Sequence, residues 1–213
     1  MEQQVISSFF ATNSHHTNIC DDFLHLIDEL NKSLETFKIP KRVDCIYNPT
    51  KYARPTFEKY VRKYCNTRKP IMYFGMNPGP WGMSQTGVPF GEISSVRDWL
   101  DIEGPVGKPP KELEARPING FGCTRTEISG KRFWGLFKDL CGTPEIFFKT
   151  SFVYNYLPQQ WLTSTGCNLT PGDFRILYLP HPSPRTVNNN NWDQKAVECL
   201  KQLNLLHYYT TEK

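Results

Sequence analysis

Apolar residues along this chain fall into two patterns. From Asp21 the residues Phe23, Leu26, Ile27, Leu30, Leu34 and Phe37 recur at intervals of three and four, the period of an amphipathic helix, and Pro40 closes it. Tyr60, Val61 and Tyr64 keep helical spacing amid basic residues. Phe133, Trp134, Phe137 and Leu140 make an apolar stripe on a helix over residues 127–141, ended by Gly142. Residues 93–100 predict a short helix with Val96, Trp99 and Leu100 inward, and residues 195–206 a closing helix through Val197, Leu200 and Leu203. The second pattern is the unbroken apolar run. Residues 71–74, 145–157 and 174–179 read as buried strands, and 43–47 as a short edge-like segment. Buried strands set among amphipathic helices place the chain in the α/β class.

Residues 1–20 are polar and aperiodic, which predicts a loose N-terminal arm ahead of a single domain over 21–213. Residues 103–122 are rich in Pro and Gly and read as a long surface loop, because too little chain follows for a second domain. The asparagine tract at 188–191 reads as loop. No apolar run is long enough to span a bilayer, so no membrane partner is expected. The seven cysteines lie far apart without a C-x-x-C pair, which disfavours zinc or an iron–sulfur cluster and suggests reduced thiols inside a cell. Net charge is only +4, but residues 51–69 hold seven basic side chains against the single acid Glu58. That run is either a solvated helix face or a phosphate-facing patch.

Candidate chemistry begins where the run 71–74 stops at Gly75. Met76-Asn77-Pro78-Gly79-Pro80 follows, a turn in which two prolines fix φ and remove donors while Gly79 permits close approach. A rigid loop at the carboxyl end of a buried strand is where open α/β sheets place ligands. Asn77 would stand there with an uncharged amide, or be no more than the corner of a β-turn. Asn155 ends a second apolar run, and a buried amide there must bond either neighbouring backbone or a ligand. His181 sits on a proline-stiffened loop, as a satisfied loop histidine or as a proton donor.

Gly75 to Glu92, GMNPGPWGMSQTGVPFGE, resembles the first active-site motif of the single-strand-selective monofunctional uracil-DNA glycosylases, a branch of the uracil-DNA glycosylase superfamily. His181-Pro182-Ser183-Pro184-Arg185 resembles their second motif, and the resemblance runs from about Tyr47 to Leu206. It implies a three-layer α/β fold, a short central parallel sheet flanked by helices. The implied reaction is hydrolysis of the N-glycosidic bond of uracil and 5-substituted uracils, such as 5-hydroxymethyluracil, in single- and double-stranded DNA. An abasic site remains, the strand stays uncut, and neither metal nor cofactor takes part. The implied partner is DNA containing uracil or an oxidised pyrimidine, met by a monomer in the nucleus. In these roles Asn77 would orient the water, His181 would stabilise the departing base, Asn155 would pair with the uracil edge and Phe90 would stack on the base. Met76 and Gly79 would line the pocket through backbone atoms. Gly166, Asn168 and Thr170, near a helix start, would lie against DNA, with Ser183 and Arg185 on the loop that wedges into the stack and holds phosphates.

The chain departs from the family in one interval. Between Asn168-Leu169-Thr170-Pro171 and His181 the family carries a helix, a central parallel strand and another helix, whereas here only residues 172–180 stand there. A βαβ unit takes roughly thirty or more residues. The expected sheet is therefore one strand short, with residues 174–179 pairing elsewhere or a hydrophobic groove left open. The alternative to an active enzyme is a DNA-binding isoform or paralogue that lost part of the fold and no longer cleaves.

Overall fold

The computed structural model describes residues 18–162, 179–186 and 189–210. Residues 1–17 of the expected arm and the segment holding Gly166, Asn168, Thr170 and the run 174–178 lie outside them, while residues 18–20, also assigned to the arm, cap and open the first helix.

Helix α1, Ile19–Glu35, begins earlier than Asp21 because Asn18 caps it, its side chain accepting from the Cys20 N–H at 3.2 Å. Asp21 and Asp22 then sit in the first turn, on the positive end of the dipole. Strand β1, Cys45–Tyr47, precedes α2, Pro49–Tyr52, and α3, Arg54–Tyr64, each opened by a proline in its first turn. Strand β2, Ile71–Gly75, leads into the glycine-rich loop and α4, Met83–Thr86. A single wide turn at Ser95–Trp99 buries Val96 and Trp99, and α5, Ile128–Cys141, carries the expected stripe and stops at Gly142 with φ 74°.

The run 145–157 is not one strand. Pro144–Thr150 is a helix, α6, and only Ser151–Asn155 is a strand, β3. Pro144 at the first helical position and Glu145 in the first turn favour the helix, and a short apolar run buried on all sides carries no period to tell the two apart. Strand β4, Gln160–Leu162, pairs antiparallel with β1, and α7, Trp192–Gln202, closes the chain with Trp192, Ala196 and Leu200 inward.

β2 and β3 run parallel, Ile71 opposite Ser151 and Gly75 opposite Asn155, so both strands end level. On one face Phe152 and Tyr154 meet Phe23 of α1, and Phe152 stacks on Tyr60 of α3 (5.1 Å between rings). On the other, Tyr73 packs against Phe133 and Phe137 of α5. The Tyr209 hydroxyl bonds those of Tyr73 (2.6 Å) and Ser151 (2.8 Å), tying the C-terminal turn to the same face. Helices, sheet and helices thus form three layers. The sheet is as short as expected: among the described residues β2 pairs only with β3, and its Met72 and Phe74 are 43% and 47% exposed.

The basic run spans α2, α3 and the turn after it, and four of its seven basic residues are answered by acids. Lys51 pairs with Glu35, Arg54 with Asp28 (2.6 Å) and Arg62 with Asp21 (2.7 Å), three acids spaced seven apart on α1, while Lys63 pairs with Asp101 (2.9 Å). Surface pairs of this kind contribute ~0–1 kcal/mol each, so they set how α1 lies on α3 more than they stabilise it.

Gln85 holds the loops around the site. Fully buried, it donates through Nε2 to the Pro80 and Pro117 carbonyls, both at 2.9 Å, and accepts at Oε1 from the Asn119 (2.8 Å) and Gly120 (3.1 Å) N–H groups. One amide thereby joins the glycine-rich loop to the surface loop of residues 103–122. Gln85→Leu should lower unfolding free energy by about 3 kcal/mol or more, since each orphaned buried group costs ~1–3 kcal/mol. Urea denaturation measures this, and a loss under about 1 kcal/mol would show that water replaces the amide.

Candidate active site

Three loops meet the first two turns of α5, and that meeting builds the site. The first follows β2. Gly79 accepts from the Gly82 (3.3 Å) and Ser84 (3.0 Å) N–H groups, closing the turn, and Asn77 donates through Nδ2 to the Pro78 carbonyl at 3.1 Å. Met76 is exposed, and its carbonyl accepts from the Leu157 N–H at 3.0 Å, which fixes the loop to the chain leaving β3. Glu127, the residue before α5, lays its carboxylate on this turn. A Cβ on Gly79 would fall 2.5 Å from its Oε2, so a side chain at Gly79 would push this carboxylate off the turn.

The second loop presents Phe90. Its φ of 52° is rare for a bulky residue, and the surroundings hold it there. Its carbonyl accepts from Trp134 Nε1–H at 3.0 Å and from the Glu92 N–H at 2.7 Å, and its ring stacks on Phe133 at 4.5 Å and 8°. Gly130 allows that approach, because a Cβ there would lie 2.3 Å from the Phe90 carbonyl oxygen.

Phe90 and Asn155 come together over Gly75. A Cβ on Gly75 would sit 2.1 Å from Asn155 Oδ1 and 3.2 Å from the Phe90 ring. Asn155 is 2% exposed, and its Nδ2 donates to Met83 Sδ at 3.0 Å, a weak acceptor. A buried amide held against a thioether is underused, and the edge of an imide would satisfy it better.

The third loop carries His181. Its Nδ1 accepts from the Ser183 N–H at 3.1 Å, which leaves Nε2 as the donor of the neutral ring. His181 is exposed as a residue, yet desolvation by the protein behind its ring holds its pKa below the ordinary imidazole value. Asn189 Nδ2 bonds the His181 (2.8 Å) and Ser183 (2.9 Å) carbonyls, Trp192 Nε1 bonds the Pro180 carbonyl (2.6 Å), and Arg132 of α5 reaches the Pro182 and Asn189 carbonyls, both at 3.3 Å. Ser183 Oγ accepts from the Arg185 N–H at 3.2 Å, and Arg185 stands exposed at the tip.

The expected residues therefore divide. Asn155 and Phe90 are in one cluster, Asn77, Met76 and Gly79 share the turn beside it, and His181, Ser183 and Arg185 are on a loop braced to the same helix. Gly166, Asn168 and Thr170 lie outside the described residues. Sequence reasoning missed Glu127, Arg132, Met83 and Gln85. Arg132 gave one faint signal, its place directly beside the apolar stripe of α5.

A short parallel sheet between helix layers, with the Asn155 amide at the end of β3 and the Phe90 ring and His181 imidazole on loops braced to α5, defines an α/β protein whose polar groups gather around one helix. No family model matches the chain. It is 36% identical to the single-strand selective monofunctional uracil DNA glycosylase of Mus musculus, over 92% of this chain and 88% of that protein. The same-named proteins of Rattus norvegicus and Bos taurus are 47% and 46% identical, the first over 92% of this chain and 88% of its own length, the second over 91% and 90%. This chain belongs to the family of single-strand selective monofunctional uracil-DNA glycosylases. The mouse and rat alignments span 246 positions but take in 92% of this 213-residue chain, about 196 residues, so about 50 positions of those relatives have no counterpart in this chain. A deficit of that size fits the absent helix–strand–helix unit. A crystal structure of SMUG2 from Pedobacter heparinus superposes with a TM-score of 0.46 at 18% identity, over 92% of this chain and 73% of that one.

Proposed function

We propose that this chain hydrolyses the N-glycosidic bond of uracil and of 5-substituted uracils such as 5-hydroxymethyluracil in single- and double-stranded DNA, as a monomer in the nucleus, leaving an abasic site. The base leaves the stack and enters between the loops. Phe90, backed by Phe133, offers its ring to the base, and the Asn155 amide gives one donor and one acceptor to the imide edge. Asn77 orients a water at the anomeric carbon. As the bond to that carbon breaks, its electron pair goes to the base, and His181 donates from Nε2 to the oxygen where the charge gathers. Ser183 and Arg185, with Gly166, Asn168 and Thr170, hold the strand.

The observation that carries this reading is the buried Asn155 amide beside the Phe90 ring, its Nδ2 donating among the described residues to a thioether. Incubation with a labelled single strand carrying one uracil tests it. Expected is an abasic site at the uracil, revealed as a break only after alkali; uracil retained in full would contradict it. Among the described residues β2 pairs only with β3, and its exposed Met72 and Phe74 favour a second reading, a DNA-binding paralogue without activity. That protein would bind abasic DNA and leave uracil in place.

A further inference from the structure

Breaking the glycosidic bond develops two opposite charges, negative on the base and positive on the sugar. His181 answers the first. Asn77 is uncharged and does not answer the second. The structure holds a carboxylate on the Asn77 turn that sequence reading gave no role.

Glu127 occupies the N-cap position of α5 but makes no capping bond. Its carboxylate instead lies over the turn: Cβ atoms built on Gly79 and Gly82 would fall 2.5 Å from its Oε2 and 2.8 Å from its Cγ. Two glycines are thus needed for one carboxylate to lie there. Ser129 Oγ donates to Oε1 at 2.5 Å and fixes the group, while Oε2, the oxygen nearer Gly79, takes no hydrogen bond among the described residues. Nor, among the described residues, does a cation pair with it: Arg125, two residues earlier, stacks over Trp81 at 4.2 Å instead. Glu92, the other carboxylate beside this helix, is 6% exposed and committed to Ser94 Oγ, Ser95 Oγ and the Ser95 N–H.

We propose that Glu127 is the fixed negative charge of this pocket, set to stabilise the cationic sugar of the transition state that Asn77 leaves unanswered. The proposal rests on the glycosylase reading above. Asn77 and Gly79 are two residues apart, so their Cα atoms lie within about 7 Å. A Coulomb interaction falls only as the inverse of distance and needs no alignment, so a carboxylate on Gly79 acts on a sugar at Asn77. The division of labour is then spatial. The loop after β2 carries the negative charge for the sugar, and the histidine loop carries the donor for the base.

Binding of two uncleavable single strands tests this apart from turnover. One carries a tetrahydrofuran abasic nucleotide, which is neutral, and the other a pyrrolidine nucleotide, cationic where the sugar becomes cationic. Fluorescence anisotropy should show the wild-type chain binding the pyrrolidine strand roughly tenfold tighter. Glu127→Gln should bind both strands alike, with tetrahydrofuran affinity within about twofold of wild type. A wild-type chain without preference, or a preference surviving in Glu127→Gln, overturns the role. So does equal loss of both affinities in the variant, which would make Glu127 a structural brace. Failure of the wild type to bind either strand sinks the glycosylase reading itself.

Discussion

Replacing His181 by leucine should slow uracil excision roughly 100- to 1,000-fold, the loss typical when one donor to a developing oxyanion is removed. Its loop is anchored by backbone carbonyls to Asn189, Trp192 and Arg132, while the imidazole contributes one exposed bond from the Ser183 N–H, so the fold should survive the change. The pH dependence follows from the same geometry. Desolvation lowers the His181 pKa, and protonating Nδ1 would set a second donor against the Ser183 N–H. Both effects disfavour the cation, so the ring is neutral at pH 7 and donates from Nε2. The acid limb of single-turnover excision should therefore lie below the ordinary imidazole value of ~6.5. An acid limb at or above that value, or an unchanged rate in His181→Leu, would mean another group serves the base.

The largest stability effect is expected at Phe133. It is buried and its ring meets those of Phe90 (4.5 Å), Trp134 (4.9 Å), Phe137 (5.1 Å) and Tyr73 (5.7 Å). Phe133→Ala should cost ~3–5 kcal/mol, the usual range for emptying such a site. It also takes away the ring against which the strained Phe90 rests. Phe133→Leu should keep more of the stability yet weaken excision, because an aliphatic side chain fills volume without offering a flat face. Thermal melts and excision rates measured together separate the two effects. If excision merely tracks the folded fraction, Phe133 only packs.

What the sequence made legible was whatever repeats with a period or sits in a rigid local motif. The stripe of α5 and the run ending at Gly75 were readable because one face of a helix and a buried strand each leave a plain trace. Asn77, Asn155 and His181 stood out for lying on prolines or at a strand end. The run 145–157 misled because Ile146, Phe147 and Phe148 are apolar in helix or strand alike, and only Pro144 hinted at the difference. The basic run left two readings open because the acids that answer it, Asp21, Asp28 and Glu35, lie on another helix. Glu127, Gln85 and Met83 could not be found in this way, since each matters through a neighbour distant in the chain. A glutamate before a helix reads as an ordinary acidic start, and only the fold reveals that it rests on Gly79 and Gly82.

The central claim is that a single pyrimidine nucleotide is gripped from three loops gathered on α5. A structure of the chain with a single strand carrying 2′-fluoro-deoxyuridine, whose glycosidic bond resists cleavage, tests it directly. The account predicts uracil stacked on Phe90 with its edge on Asn155, Asn77 beside the anomeric carbon and His181 Nε2 within hydrogen-bond distance of a base oxygen. A uracil bound elsewhere, or Asn77 and His181 opening onto separate surfaces with the base touching only one, would contradict it.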